Sequence, residues 1–247
     1  MDTTIALLGV GMLIAAFVYA SVGHGGASAY LAAMALAGIA PTEMRPVALL
    51  LNVLVSSIAT YRFWRAGHFS WRLFWPFAVL SIPLAYAGGA LTLPGSAYKV
   101  LVGLVLLFAA WQLWVSAGKG NEMRAAQPLP VPLAIAIGGV LGALSGLTGV
   151  GGGIFLSPLL LMQGWAGTKQ TSAVSAPFIL VNSAAGLVAV AVTQPATLPS
   201  YVLLLACAVV LGGWLGAEYG SRRFANPVIR RFLAVVLAVA GGKMVLV

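Results

Sequence analysis

Charged residues are scarce in this sequence. Only 7% of its 247 residues are Asp, Glu, Lys or Arg, whereas an ordinary soluble domain has about 25%. The 13 Lys and Arg outnumber the 4 Asp and Glu, which gives a net charge of +9, and 61% of the residues are hydrophobic. So few charges cannot cover the surface of a soluble protein of this size, so we expect the chain to lie in a lipid bilayer.

Other absences exclude several classes of function. The single cysteine, Cys207, excludes an intrachain disulfide. There is no H-E-x-x-H motif, no lysine in a phosphate-binding position after the glycine clusters, and no acid placed to complete a catalytic triad, so neither an enzyme nor a cofactor is expected. The basic residues lie in short gaps between apolar runs, which argues against a nucleic-acid partner. Because the N-terminus has no positive flank, the first apolar run is expected to be a retained helix rather than a signal peptide.

Apolar runs separated by Pro, Gly and charged residues predict an all-α integral membrane protein. The predicted helical segments are 5–22, 26–39, 43–64, 73–92, 97–117, 131–148, 153–165, 170–193, 198–220 and 228–247. Segments 26–39 and 153–165 are too short to cross a hydrocarbon core of about 30 Å. Each follows a glycine cluster, so we expect two broken or re-entrant half-helices.

The pattern of segments repeats between the two halves of the chain. In each half a glycine cluster is followed by a short segment, a polar cluster and an Asn within the next apolar run, Asn52 or Asn182. This predicts a first transmembrane repeat at 1–117, a polar cytoplasmic linker at 118–130 and a second repeat at 131–247. Internal duplications of this kind are common in membrane transporters.

Arginines between the segments predict the orientation of the repeats. They flank the connection between the third and fourth segments and the connection between the ninth and tenth segments. The arginine excess places both connections in the cytoplasm. The residues are Arg62, Arg65, Arg72, Arg222, Arg223, Arg230 and Arg231. If each pair of a full helix and the half-helix after it returns to its starting side, the two repeats are inverted and both termini lie outside.

The glycine clusters are the predicted binding site. Inverted repeats bring equivalent helix breaks together near the membrane midplane, and a helix N-terminus offers free N–H groups and a positive dipole end to an anion. The candidate substrate-binding residues are Ser21, Gly23, His24, Gly25, Gly26, Ser28, Asn52, Thr148, Gly149, Gly151, Gly152, Gly153, Thr171, Ser172 and Asn182. Because acids are nearly absent from the predicted spans, a small anion is expected rather than a metal ion.

Several of these residues have an alternative structural interpretation. His24 can donate to an oxyanion or carry a proton, or it can simply bond carbonyls at the helix break. Asn52 and Asn182 can touch substrate, but support of the broken backbone is the simpler role. Arg45 and Lys169 are candidate gating residues that draw an anion into opposite vestibules, or they snorkel to headgroups.

The glycine-rich motifs resemble those of the sulfite exporter TauE/SafE family, also called the 4-toluene sulfonate uptake permease family. The resemblance rests on Gly149-Val150-Gly151-Gly152-Gly153, on Ser157-Pro158, on Thr168-Lys169-Gln170-Thr171-Ser172 and on a degenerate first copy at Ser21-Val22-Gly23-His24-Gly25-Gly26. It implies a multi-pass permease of the bacterial inner membrane that moves sulfite, organosulfonates or related sulfur-containing anions.

The sequence therefore predicts a secondary carrier for a small anion with alternating access around the glycine clusters. An anion channel or uniporter for small oxyanions or carboxylates is the alternative, since the same elements can form either. The expected partners are the anion and the bilayer. A proton or Na⁺ as coupling ion and a homodimer are both left open.

Overall fold

The computed structural model describes residues 3–118, 127–193, 198–222 and 227–246. All regular secondary structure in these ranges is helical. The helices are α1 (Thr3–Ala20), α2 (Ala27–Leu36), α3 (Pro41–Arg65), α4 (Trp71–Ala90), α5 (Gly95–Gly118), α6 (Val131–Thr148), α7 (Gly153–Met162), α8 (Thr168–Thr193), α9 (Val202–Arg222) and α10 (Pro227–Leu246). Each predicted segment matches one helix, with ends that differ by no more than a few residues.

Seven of these helices are long and apolar enough to cross a membrane, namely α1, α3, α4, α5, α6, α8 and α9. Helices α2 and α7 have only 10 residues each, so each is about 15 Å long, half the thickness of the hydrocarbon core. The chain is therefore a multi-pass membrane protein with two short helices, as the sequence predicts.

Glycine creates the break before each short helix. Gly26 precedes α2 with φ 95° and Gly152 precedes α7 with φ 76°. Gly149 ends α6 with φ 83°. These left-handed conformations are costly for residues with a Cβ, so consecutive glycines stop one helix and start the next at a new angle. Neither Gly26 nor Gly152 can cap the first turn with a side chain.

Two glycine ladders join helices from the two halves of the chain. A Cβ at Gly138, Gly142 or Gly146 of α6 would meet a carbonyl oxygen of α4, and a Cβ at Gly212, Gly216 or Gly220 of α9 would meet one of α1 or of the residue directly after it. The carbonyls facing the two ladders belong to Phe77, Ser81, Ala85, Leu13, Phe17 and Ser21. The sequence spacing of four predicts such close packing, and the contacts confirm it. Because the residue numbers rise together along both helices, α6 runs parallel to α4 and α9 parallel to α1.

The packing is reciprocal between the halves. A helix and its counterpart are five apart in the order of helices. The α4–α6 pair has its counterpart in the α9–α1 pair, and the α3–α9 pair has its counterpart in the α8–α4 pair. At the centre α3 and α8 cross, and Leu49 near Gly186 and Asn52 near Ser183 show that they run in opposite directions. Helix α3 runs parallel to α9, since Val55 meets Gly213 and Arg62 pairs with Glu218 farther along both helices.

Parts of some sequence predictions lie outside the described residues. They are residues 119–126 of the predicted linker, residues 194–197 of the uncharged turn before α9, and Arg223. The division into 1–117, 118–130 and 131–247 stays a prediction.

Candidate functional site

The two glycine clusters lie against each other in the interior. A Cβ on Gly25 would lie 2.7 Å from Cγ of Asn52, and a Cβ on Gly151 would meet Nδ2 of the same Asn52. Both glycines also border Ile179 of α8. The two helix breaks therefore approach each other across α3 and α8, and the absence of side chains on these glycines makes the approach feasible.

Asn52 of α3 joins the second break to α8 through hydrogen bonds. Its Nδ2 donates to Val150 O (3.3 Å) and to Ser183 Oγ (2.8 Å). Asn182 Nδ2 donates to Phe178 O of its own helix at 2.7 Å. Both amide oxygens are buried without a partner, and an oxygen acceptor does not favour an anion. Support of the broken backbone accounts for Asn52, while substrate contact by either Asn stays a prediction.

His24 connects the first glycine cluster to the second half of the chain. Its Nδ1 lies 3.2 Å from Val22 O, and its Nε2 lies 3.2 Å from Gly153 O and 3.0 Å from Ser157 Oγ. Ser157 Oγ is in turn 2.8 Å from Ser175 Oγ of α8. The imidazole is thus held at the start of α7 by contacts on both ring nitrogens.

A cavity of about 90 Å³ opens beside His24. It is formed by α1, α5, α7, the start of α8 and the His24 segment. Its lining residues are Val18, Tyr19, Val22, His24, Gln112, Leu113, Ile154, Ser157, Leu161, Thr168, Thr171 and Ser172. About 15 Å³ of such volume suffices for one water molecule, so a small oxyanion fits. The polar groups in the lining are several hydroxyls, the amide of Gln112 and the imidazole of His24. None of these lining residues is Lys, Arg, Asp or Glu.

Two of the lining side chains carry buried polar atoms without a hydrogen-bond partner. They are Thr171 Oγ1 and Gln112 Oε1, and Thr171 is only 3% exposed. A buried hydroxyl without a partner is costly, and a ligand that reached it would relieve that cost. Thr171 is the predicted site residue that this observation supports most directly.

Other predicted hydroxyl donors bond within the protein. Ser21 Oγ donates to Val18 O (2.7 Å), Ser28 Oγ to Tyr19 OH (2.9 Å) and Thr148 Oγ1 to Leu144 O (2.7 Å). A hydroxyl has only one proton to donate. In this conformation these three hydroxyls therefore have no proton left for an anion.

Arg45 lies inside the protein and is only 5% exposed. Its guanidinium donates to Gly146 O (3.0 Å), Leu91 O (2.9 Å), Gly88 O (2.8 Å) and Gly89 O (2.6 Å). Three of these carbonyls lie at the C-terminal end of α4, where the negative end of the helix dipole favours a cation. Nearby, Glu43 accepts a hydrogen bond from the hydroxyl of Tyr201 at 2.8 Å. The pKa of Tyr201 is raised, mainly by burial and to a smaller extent by this hydrogen bond. The gating role of Arg45 stays a prediction, and the contacts favour a structural one.

A second cavity, of about 200 Å³, lies at the turn between α2 and α3. It is bordered by Lys99 of α5 and Lys243 of α10. Lys243 Nζ donates to Ala35 O (3.0 Å) and Leu36 O (3.3 Å) at the end of α2. The turn between α7 and α8 is its counterpart in the second half, and the helix ends that flank this turn line the first cavity with Leu161 and Thr168. Lys169 follows Thr168 there and is half-buried.

Sequence reasoning misses some of these residues. Gln112, Lys99 and Lys243 lie within apolar runs and are absent from the predicted site. A lone Lys in an apolar run is itself a signal, because an intramembrane charge is costly and tends to be functional. Gln112 has no motif around it, and only tertiary packing brings it to the cavity. Among the described side chains, no group of three or more His, Cys, Asp or Glu could hold a metal ion.

A multi-pass helical membrane protein with a polar cavity beside two glycine-broken helices has the architecture of a membrane transporter. Comparison with known proteins agrees with this class. The family model for "Sulfite exporter TauE/SafE" matches residues 7–244, and the chain belongs to this family of membrane transporters.

Two curated relatives are similar over most of their length. "Probable membrane transporter protein y4hK" of Sinorhizobium fredii is 40% identical over 246 residues, covering 99% of each chain. "Probable membrane transporter protein ORF9" of a Sinorhizobium species is 27% identical over 221 residues, covering 88% of this chain and 82% of the relative. No solved structure matches the chain.

Proposed function

We propose that the protein is a secondary carrier for a small oxyanion, namely sulfite, an organosulfonate or a related sulfur-containing anion. The observation that carries this proposal is the cavity at His24, which is lined by several hydroxyl groups and by no acid among its described lining residues. One of the lining residues, Thr171, has a hydroxyl without a hydrogen-bond partner. Neutral hydroxyls can donate to an oxyanion without binding it so tightly that it cannot leave. The family supplies the sulfur-containing class of substrate.

Helix directions support an inverted arrangement of the two halves. Because α3 and α4 are both candidate spans joined by five residues, they must cross the membrane in opposite directions. Helix α3 is parallel to α9, so α4 and its counterpart α9 are opposed. Helix α6 is parallel to α4, and α1 is parallel to α9. The counterparts α1 and α6 therefore also run in opposite directions. Inverted repeats of this kind support alternating access by exchange of equivalent conformations.

The two cavities lie at equivalent turns of the two halves. In inverted repeats equivalent turns face opposite sides of the membrane. We therefore assign the His24 cavity to the cytoplasmic side and the Lys99–Lys243 cavity to the outer side. The lysines give the outer cavity a positive field that attracts anions.

The arginine-flanked connection between α3 and α4 supports a cytoplasmic location for that turn and an outer location for both termini. The bacterial inner membrane follows from the resemblance to the family. A homodimer and the identity of the coupling ion stay predictions of the sequence.

A flux assay in proteoliposomes tests the carrier. Purified protein should take up a radiolabelled sulfur-containing anion, such as sulfite or methanesulfonate, in preference to a carboxylate such as acetate. Thr171→Val removes the cavity hydroxyl without changing the side-chain shape, so the apparent affinity should fall about tenfold. Thr193→Val is the matched control, because its hydroxyl bonds Ala189 O at the far end of the same helix.

Counterflow separates the carrier from the anion channel. A carrier preloaded with unlabelled anion accumulates label transiently, whereas a channel does not. Preference for a carboxylate would contradict the proposed substrate class. Equal affinity in the two Thr variants would contradict the proposed site.

A further inference from the structure

The cavity at His24 lacks a fixed counter-charge for the proposed anion. Its described lining residues include no Lys or Arg. Placing an anion among neutral groups away from water is costly unless a cation accompanies it. Of the lining side chains, only the His24 imidazole can gain a positive charge near neutral pH.

The hydrogen bonds around His24 fit both protonation states of the ring. In the neutral ring Nδ1–H donates to Val22 O, and Nε2 accepts from the hydroxyl of Ser157. In the protonated ring Nδ1–H keeps its bond, and Nε2–H donates to Gly153 O, which lies 3.2 Å away. Ser157 then turns its proton toward Ser175 Oγ, 2.8 Å away. Each state satisfies both ring nitrogens, so the site can gain or lose a proton without a change of backbone.

We infer that anion binding in this cavity is coupled to protonation of His24, so that the carrier moves one proton with each monovalent anion. The inference rests on the proposed function. A bound anion stabilises the protonated ring, and by thermodynamic linkage the protonated ring strengthens anion binding by the same factor. The proton comes from water on the side to which the cavity is open and leaves with the anion on the other side.

No acid faces His24 from the described residues that line the cavity. Helix α1 presents Tyr19, whose ring meets the imidazole edge-on at 6.3 Å between centroids. Helix α5 contributes Gln112 and Leu113. Helices α7 and α8 contribute hydroxyls, and Lys169 follows Thr168 without lining the cavity.

Calorimetric titration of the full-length protein with methanesulfonate tests the coupling. This anion stays ionised throughout the relevant range, so any proton that binds with it belongs to the protein. Titration in two buffers of different ionisation enthalpy measures proton uptake. We expect up to one proton per anion at pH values where the ring of the unliganded protein is neutral, with affinity falling about tenfold per pH unit there. Binding without proton uptake at every pH would overturn the inference and leave the proposed function standing.

Variants of the two histidines provide matched comparisons. His24→Gln should bind methanesulfonate more weakly, without proton uptake and with no dependence on pH. His68→Gln, in the connection between α3 and α4, should behave like the wild type. Proton uptake by His24→Gln equal to that of the wild type would overturn the inference.

A third variant keeps His24 in place. Ser157→Ala removes the hydrogen bond that the neutral ring accepts, but it leaves Gly153 O for the protonated ring. The pH dependence of proton uptake should therefore move to higher pH, and an unchanged pH dependence would overturn the coupling through this bond. Absence of methanesulfonate binding by the wild type at any pH would instead overturn the proposed function, and the inference with it.

Discussion

Arg45 shows how a single intramembrane charge can be used. A buried guanidinium needs several acceptors, and the end of α4 supplies three carbonyls within 2.9 Å. A Cβ at Gly88 would overlap Ala143 O of α6, and one at Gly89 would lie 2.8 Å from Gly186 O of α8, so these glycines let α4 pack closely on both helices at the same point. The charge thus offsets the negative end of the α4 dipole and joins α3, α4 and α6 at one point.

Arg45→Lys tests this role because it keeps the charge and loses the planar fork. A lysine cannot reach all four carbonyls, so the free energy of unfolding should fall by about 3 kcal/mol. The melting temperature of the purified protein in detergent measures the loss, with the exposed Arg65→Lys as control. Unchanged stability combined with weaker anion affinity would favour the gating role instead.

Gly25 is limited by space rather than by backbone conformation, since its φ is not positive. A Cβ there would press on Asn52. We expect Gly25→Ala to cost about 1–3 kcal/mol of stability through overpacking, and Gly25→Leu to abolish transport while insertion continues. Flux normalised to inserted protein measures this. Gly11→Ala is the control because nothing lies within 4 Å of its Cβ position, and normal flux by Gly25→Leu would contradict the packed helix breaks.

At the scale of elements, the two glycine ladders hold the halves together. Each lets one helix approach the carbonyl oxygens of another, which permits close van der Waals packing in a membrane, where the hydrophobic effect cannot join helices. The short helices α2 and α7 have few contacts of their own outside α3, α8 and α10. The ladder pairs therefore form the frame within which the half-helices are placed.

Gly142→Val and Gly216→Val test the ladders on the two sides of the molecule. Each Cβ would overlap a carbonyl, of Ser81 and Phe17 respectively. Both variants should lose several degrees of melting temperature, by similar amounts, because the two interfaces are counterparts. Gly242→Val is the control, since its Cβ position is open. A large effect at only one ladder would argue against equivalent interfaces.

At the scale of the whole molecule, the opposed directions of α1 and α6 and of α4 and α9 favour two inverted halves. Such a molecule has an odd number of net crossings in each half, provided that each full helix and the half-helix after it together return the chain to the side on which that helix began. The two cavities then open toward opposite faces, and one exchange of conformations between the halves would close one and open the other.

Cysteine labelling tests this topology. In a Cys207→Ala background, single cysteines at Thr4, Leu198 and Leu246 should react with a membrane-impermeant maleimide from outside. A cysteine at Ala66, between α3 and α4, should react only once the cytoplasmic face is opened. Labelling of Thr4→Cys and Leu246→Cys from opposite sides would contradict the inverted arrangement.

The sequence by itself determined that the chain lies in a lipid bilayer, where its helices begin and end, and where they are broken. Scarce charge requires a bilayer, apolar runs set the helix ends to within a few residues, and consecutive glycines stop helices wherever they occur. The glycine ladders were also readable, because a spacing of four places residues on one face of a helix.

Only the tertiary structure decided which polar residues line the cavity and which bond within the protein. Ser21, Ser28 and Thr148 look like donors in the sequence, yet their protons bond within the protein, whereas Thr171 and Gln112 meet at the cavity from helices far apart in the chain. Arg45 likewise found its partners on α4 and α6. Hydrogen-bond satisfaction depends on neighbours that distant segments supply, and no local pattern encodes those neighbours.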